Sequence, residues 1–310
     1  MPNLTLRPLP LPEFHLLRKP GADGAHRSRE ARGSLRSSDF YLESTADAVS
    51  AFGTGVAPTR FQFYFIGVVA RSRAVCTTGL ASFEVRPRTA FFVPPGQIHS
   101  SRGWSTRDLG YALSFSEAFF VETLADKAAL RRSPLFQWDR PPHLRLSVAQ
   151  DRRVREALGH LQAEWQRPQG YSPAVLRVLL HLVVALLEDA ICLCLKDEAP
   201  LDANARLYQR FRAELERSFR SEKRPSGYAA RLGVHPNHLA TAVRSASGLP
   251  PGDWVRARLV LEAQCLLGNT TRSVKEIAAE LGYDDEAYFS RVFKKAVGSS
   301  PRDYQLGAAA

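Results

Sequence analysis

The chain has 310 residues, 45% of them apolar, which is enough for about two domains with hydrophobic cores. Its 42 lysines and arginines against 31 aspartates and glutamates give a formal net charge of +11 and favour a polyanionic partner, nucleic acid before an anionic membrane surface. Prolines and a glutamate interrupt residues 1–20 where a secretory signal needs an apolar run, so we expect no such signal.

The first third of the chain is predicted to form an arm followed by strands. Residues 1–38 mix Pro, Gly, Ser and Arg without periodicity, which predicts a mobile arm with one short strand near residues 14–17. Within residues 39–115, the runs at 60–70 and 81–99 are rich in aromatic and β-branched residues and are punctuated by prolines. Short strands separated by turns indicate a small barrel or sandwich.

Two helices are predicted next. Apolar residues recur at helical spacing through residues 154–165, and Ser172-Pro173 can begin a second helix. That second helix holds the most apolar stretch, 174–195, but charged side chains interrupt the run of about 20 apolar residues that a membrane span needs. A helix apolar on most sides must be covered on most sides, which predicts a homodimer without a membrane partner.

A change in composition marks the C-terminal part. Residues 196–205 are polar and are predicted as a linker. Residues 206–310 hold 17 lysines and arginines against 11 aspartates and glutamates, so more than half of the net charge lies in a third of the chain. The cysteines lack zinc or redox spacing, which predicts reduced thiols in a cytoplasmic protein: Cys76, Cys192, Cys194 and Cys265.

An internal repeat is the strongest signal in the sequence. "AARLG" (229–233) matches "AAELG" (278–282) at an offset of 49, and "ASGLPPGDW" (246–254) matches "AVGSSPRDY" (296–304) at an offset of 50. A repeat of this length indicates a duplicated helical unit.

Each unit fits a helix-turn-helix. Gly233 and Gly282 supply the positive φ that ends a first helix in a tight turn. Pro236 suits the first turn of the next helix, Ser273 opens a capping box with Glu276, and Asp284 or Asp285 can cap the last helix.

The second helix of each unit is predicted to face a partner. Phe289 and Phe293 anchor it to the core, so the intervening polar positions point outward among cations. Such a helix fits the DNA major groove, about 12 Å wide. The segment 253–267 reads as a helical strut that can hold two such helices about 34 Å apart, one turn of DNA.

These residues carry a resemblance. "RARLVLEAQCLL", "SVKEIAAELGYDDEAYFSRVFKK" and "GSSPRDY" resemble the paired helix-turn-helix domain of the AraC/XylS family of bacterial transcription regulators. "FFVPPGQIHS" and "GYALSFSEAFF" resemble, more loosely, strands of that family's cupin-like effector domain.

The resemblance implies a two-domain α+β protein. Residues 39–195 would form a cupin-like β-barrel plus dimerisation helices that bind an effector, and 206–310 an all-α DNA-binding domain with two helix-turn-helix units joined by a long helix. Such proteins act on promoter DNA and, as activators, recruit RNA polymerase. The resemblance implies an activator.

The resemblance also implies which residues contact DNA. The residues at the family's base-contacting positions are Asn237, Ala240, Thr241, Glu286, Ala287, Ser290 and Arg291. Those at its phosphate-contacting positions are Arg244, Lys294 and Lys295. His235, Val243 and Ser245 depart from the family pattern, so we expect weaker readout by the first unit.

The β-rich region lacks the histidine cluster of a metal-dependent cupin enzyme, because the strand at 58–66 has no histidine. We therefore expect no metal, no cofactor and no catalysis. The resemblance implies a sugar, organic acid or signalling metabolite as effector, and candidate pocket walls are Arg60, Tyr64, Arg86, His99 and Trp104.

The sequence thus predicts a cytoplasmic, sequence-specific DNA-binding transcriptional regulator that responds to an effector. Two alternatives stay open. One is a cupin-type metal-dependent enzyme fused to a DNA-binding domain, which elemental analysis would reveal. The other is a constitutive regulator without a small-molecule ligand.

Overall fold

The computed structural model describes residues 39–197 and 202–309. The chain divides into two compact units, the first comprising residues 1–56 and 60–198 and the second residues 57–59 and 199–310. The predicted arm 1–38, with its short strand, lies outside the described residues. A β-rich first unit and a helical second unit confirm the prediction of a two-domain α+β chain.

The first unit contains two sheets. Their strands are β1 (Phe40–Ser44), β2 (Gly55–Arg60), β3 (Tyr64–Arg71), β4 (Val75–Thr78), β5 (Ala81–Glu84), β6 (Thr89–Val93), β7 (Ile98–Arg102), β8 (Leu109–Phe115) and β9 (His143–Arg145). Five strands form one sheet in the order β1-β8-β3-β6-β9, with antiparallel pairings, and four form the other in the order β2-β7-β4-β5.

Strand β3 is buried on both faces, as expected for a central strand of a two-layer core. Tyr64, Ile66 and Val68 join the cluster under the helices, while Val69 packs in a second cluster on the opposite face of the sheet. The strand begins at Tyr64, and Phe61 and Phe63 just before it lie in a separate cluster against which Phe65 packs. Before the strand begins, Phe61 stacks on Phe63 with ring centroids 4.6 Å apart.

In the part that the structure describes, the first unit has five helices and a 3₁₀ turn at Pro134–Phe136: α1 (Thr45–Phe52), α2 (Glu117–Phe120), α3 (Leu124–Arg132), α4 (Val148–Trp165) and α5 (Pro173–Asp197). Helices α2 to α5 pack in the core on one face of the five-stranded sheet, whereas α1 borders the space between the two sheets. The capping box of Ser147 and Gln150 begins α4, as small polar residues do at helix N-termini. The inner side of α5 packs in the main core, but Val178 on its outer side is 69% exposed.

The second unit is helical throughout its described residues: α6 (Ala203–Ser218), α7 (Pro225–Leu232), α8 (Pro236–Ser247), α9 (Pro251–Asn269), α10 (Val274–Glu280), α11 (Glu286–Val297) and α12 (Pro301–Ala309). The predicted linker 196–205 is too long, because α5 continues to Asp197 and Asp202 caps α6. Among the described helices, none combines the length and the apolar character required to cross a membrane.

Candidate nucleic-acid interface

The two helix-turn-helix units fold alike around their glycines. Gly233 follows α7 with φ +68°, and Gly282 follows α10 with φ +69°. Both values lie in the left-handed region, where a side chain is disfavoured, so both predicted turns are confirmed. The predicted capping box is also present, since Ser273 and Glu276 each accept from the other's backbone N–H.

The exposed helices α8 and α11 begin with side-chain caps. Asp285 caps α11 by accepting from the N–H groups of Ala287 and Tyr288, at 2.8 and 3.1 Å. In α8 the His235 Nδ1 accepts from the Asn237 N–H at 3.3 Å. The histidine that departs from the family pattern therefore still serves as the N-cap of the first unit.

Each helix has one buried side. In α11, Phe289 and Phe293 are 2% and 0% exposed, and the Phe293 ring packs edge-on against Tyr304 with centroids 5.5 Å apart. In α8, Leu239 and Val243 are fully buried at the corresponding positions. Burying four apolar side chains fixes which side of each helix points to solvent.

The predicted DNA contacts lie on the opposite side. Asn237, Thr241, Arg244, Glu286, Ala287, Arg291, Lys294 and Lys295 are exposed, and Ala240 and Ser290 are half-buried. Arg291 lies 3.9 Å from the Asp285 carboxylate, and with both side chains more than half exposed this pair holds the guanidinium only weakly.

Helix α9 carries a buried ionic cluster that was not predicted from the sequence. Arg258 is 2% exposed and donates to Glu216 at 2.8 Å and to Glu262 at 2.9 Å. Arg220 donates to the same Glu262 at 2.7 Å, and the Arg258 guanidinium lies 3.8 Å from the centroid of the Phe219 ring. The cluster ties α9 to α6. The i,i+4 spacing of Arg258 and Glu262 within an apolar helix could have indicated this cluster from the sequence.

The first unit holds a second candidate site, the inter-sheet cavity. This cavity of about 80 Å³ lies between the two sheets beside α1, and its described walls include Glu43, Phe65, Phe91, His99, Trp104 and Tyr111. Burial lowers the pKa of His99 to about 4, so its ring is neutral at neutral pH. Its Nδ1 lies 3.1 Å from the Thr78 hydroxyl oxygen.

Three of the five predicted pocket residues do not line this cavity. Tyr64 points to the helix-covered face of the sheet, where it stacks on Phe115 at 5.3 Å between ring centroids. Arg86 is exposed and pairs with Glu84, and Arg60 donates to the Gly96 carbonyl. The structure therefore brings together His99 and Trp104 but not Tyr64, Arg60 or Arg86.

Glu43, Phe91 and Tyr111 were missed as cavity walls. The glutamate in the apolar strand "FYLES" could have indicated Glu43 as a wall residue, because a carboxyl group is rarely buried unless it is paired. Within residues 39–197 and 202–309, no group of three or more His, Cys, Asp or Glu side chains is placed to hold a metal ion.

Known proteins match this chain in two ways. Residues 228–306 match the family described as a helix-turn-helix domain. The arabinose operon regulatory protein of Salmonella typhimurium is 22% identical over 262 residues, 81% of this chain and 86% of that protein. The transcriptional activator RhaS of Salmonella arizonae is 26% identical over 167 residues, 54% of this chain and 58% of that protein.

A solved structure is also similar. ToxT from Vibrio cholerae aligns with a TM-score of 0.40 and 14% identity, covering 86% of this chain and 98% of that one.

Proposed function

The chain is a DNA-binding transcriptional regulator of the AraC/XylS family, and on that premise we propose that α8 and α11 both read promoter DNA. One observation carries the proposal: both helices follow the same left-handed glycine turn, bury one apolar side and expose a polar one. A helix held in this way can enter a major groove with its outward side chains against base edges.

The proposed contacts divide by chemistry. Asn237 can pair with adenine, Arg291 with guanine and Glu286 with the cytosine amino group. Lys294 and Lys295, in the last turn of α11, are exposed ammonium groups suited to phosphates. Arg244 takes the same place in the last turn of α8.

The first unit is assigned a regulatory role. Its inter-sheet cavity is proposed to bind a small effector. The outer side of α5 is proposed to pair two subunits, because it exposes a stripe of large apolar side chains at helical spacing: Val175, Val178, Leu182 and Leu193. Recruitment of RNA polymerase by the DNA-bound protein is proposed from the family resemblance.

Salt-dependent DNA binding tests the contact assignment. Arg291→Ala should change which sequences are preferred, whereas Lys294→Ala should weaken binding to every sequence and reduce the salt slope by about one unit. The matched control is Lys275→Ala on α10, an exposed lysine outside the proposed interface, which should leave both properties unchanged. Identical behaviour of Arg291→Ala and Lys294→Ala across sequences would show that base and phosphate contacts are sorted wrongly.

A further inference from the structure

On the side of the five-stranded sheet, the inter-sheet cavity has open space beside the carboxyl group of Glu43. Across the five-stranded sheet, Glu43 pairs with Ala112, Ala112 with Gly67 and Gly67 with Phe91. A Cβ atom on Gly67 would lie 2.1 Å from the Phe91 ring, so this ring covers the glycine. The small side chain of Ala112 therefore leaves the space between Glu43 and an aromatic ring open.

The walls of the cavity are largely aromatic. The ring centroids of Phe61, Phe65 and Phe91 lie 5.6, 6.1 and 5.9 Å from that of His99, and Trp104 lies 6.4 Å from Phe91. Such a set of ring faces packs well against another aromatic ring and attracts a cation.

The polar groups of the cavity are unsuited to an anion. Glu43 accepts a hydrogen bond from the Tyr41 hydroxyl at 3.4 Å, and its carboxyl group has further acceptor positions for a ligand. No lysine or arginine occurs among the described residues that line the cavity. Beside Glu43 and away from a described cation, a ligand carboxylate would be costly to bury in a low-dielectric interior. His99 is 4% exposed, and among the described residues its Nε2 has no hydrogen-bond partner, so this atom is available to a ligand.

We propose that the inter-sheet cavity binds a small aromatic amine: one ring on a short chain that ends in an ammonium group. The ring packs among Phe65, Phe91 and Trp104, and the ammonium group faces Glu43. This assignment rests on the proposed effector role and names the ligand class for it.

Size limits the ligand to one ring. The cavity of about 80 Å³ is smaller than the roughly 150 Å³ cavity that holds benzene in an engineered protein. The half-buried side chains of Phe52 and Trp104 must therefore shift when the ligand enters. Such a shift is a means by which ligand binding reaches α1, which ends at Phe52.

Titration calorimetry on the full-length protein tests the ligand class with three probes of similar shape: 2-phenylethylamine, 2-phenylethanol and phenylacetate. The amine should bind about tenfold tighter than the alcohol, because a hydrogen bond to a charged group is the stronger one. Phenylacetate should bind more weakly than the alcohol. Phenylacetate binding as tightly as the amine, or no binding of any probe, would overturn the proposal.

Two variants locate the binding. Glu43→Gln should lower the affinity for the amine to that for the alcohol and leave the alcohol unchanged, and Ala112→Leu should abolish binding of both by filling the open space beside Glu43. An unchanged amine affinity in Glu43→Gln would overturn the role of Glu43. If Glu43→Gln does not fold, the three-probe comparison on the unaltered protein still decides the ligand class.

DNA binding is measured on the same samples. If the amine does not bind but DNA binding is intact, the proposed ligand class is wrong and the DNA-binding assignment is unaffected. Loss of DNA binding in the unaltered protein contradicts the proposed function itself.

Discussion

Gly233 and Gly282 adopt the same left-handed conformation 49 residues apart, at φ +68° and +69°. The hydrogen bonds around them match as well. The residue after each glycine donates to a carbonyl in the preceding helix, Val234 to Ala229 at 3.0 Å and Tyr283 to Ala278 at 2.9 Å. The duplication seen in the sequence is thus a duplication of backbone geometry, and that geometry presents α8 and α11 in the same way.

Substituting these glycines should lower stability through the backbone. Gly233→Ala meets no atom within 4 Å, so its expected cost of about 1 kcal/mol comes from the left-handed φ. Gly282→Ala should cost at least as much, because Lys223, which donates to the Gly282 carbonyl, must also move. Urea denaturation of the full chain measures both. Gly307→Ala in α12 is the control and should cost nothing, since it lies in a helix with open space around it.

Breaking the buried ionic cluster should be far more costly. Arg258→Ala takes an arginine partner from Glu262, which is 0% exposed, and another from Glu216, so we expect a loss of about 3 kcal/mol or more. The matched control is Arg256→Ala, two residues earlier in the same helix, whose exposed pair with Asp253 should contribute less than about 1 kcal/mol. Equal effects of the two substitutions in urea denaturation would show that the cluster does not stabilise the helical unit.

The first unit should lose stability as the pH falls. Burial lowers the pKa of His99 to about 4 from 6.5, so the unfolded chain binds a proton that the folded chain does not in this interval. The stability that His99 contributes is therefore complete above about pH 6.5 and is lost as the pH falls toward 4, by about 3 kcal/mol in total. Thermal unfolding at pH 7 and pH 5 should show a smaller pH effect in His99→Gln. The same pH effect in both proteins would assign the change to other groups.

The outer side of α5 should control the oligomeric state. Val178→Glu places a charge in the middle of the exposed apolar stripe, so we expect sedimentation velocity to show a dimer for the unaltered protein and a monomer for the variant. Val148→Glu is the matched control, because this valine of α4 is 70% exposed and Val178 is 69% exposed. A dimer that survives Val178→Glu would place the subunit contact elsewhere.

The sequence predicted the local geometry of the second unit well. Glycine turns, the Ser273–Glu276 capping box and the Phe289–Phe293 anchor each depend on residues a few positions apart, so their spacing alone specifies them.

Features that depend on distant segments were harder to predict. Tyr64 and His99 were both predicted as pocket walls, but strand pairing puts Tyr64 on the helix-covered face of the sheet and His99 in the cavity. The role of Glu43 depends on its register with Ala112, which no local pattern encodes. The local sequence shows only the i,i+4 spacing of Arg258 and Glu262, because Glu216 meets Arg258 only when α6 packs on α9.

Selection of bound fragments from random DNA tests the central claim, that both α8 and α11 read bases. The unaltered protein should select two preferred blocks separated by about one turn of DNA, roughly 10 base pairs. Asn237→Ala should erase the preference in one block only, and Arg291→Ala should erase it in the other only. A single block, or loss of the same block in both variants, would contradict the account.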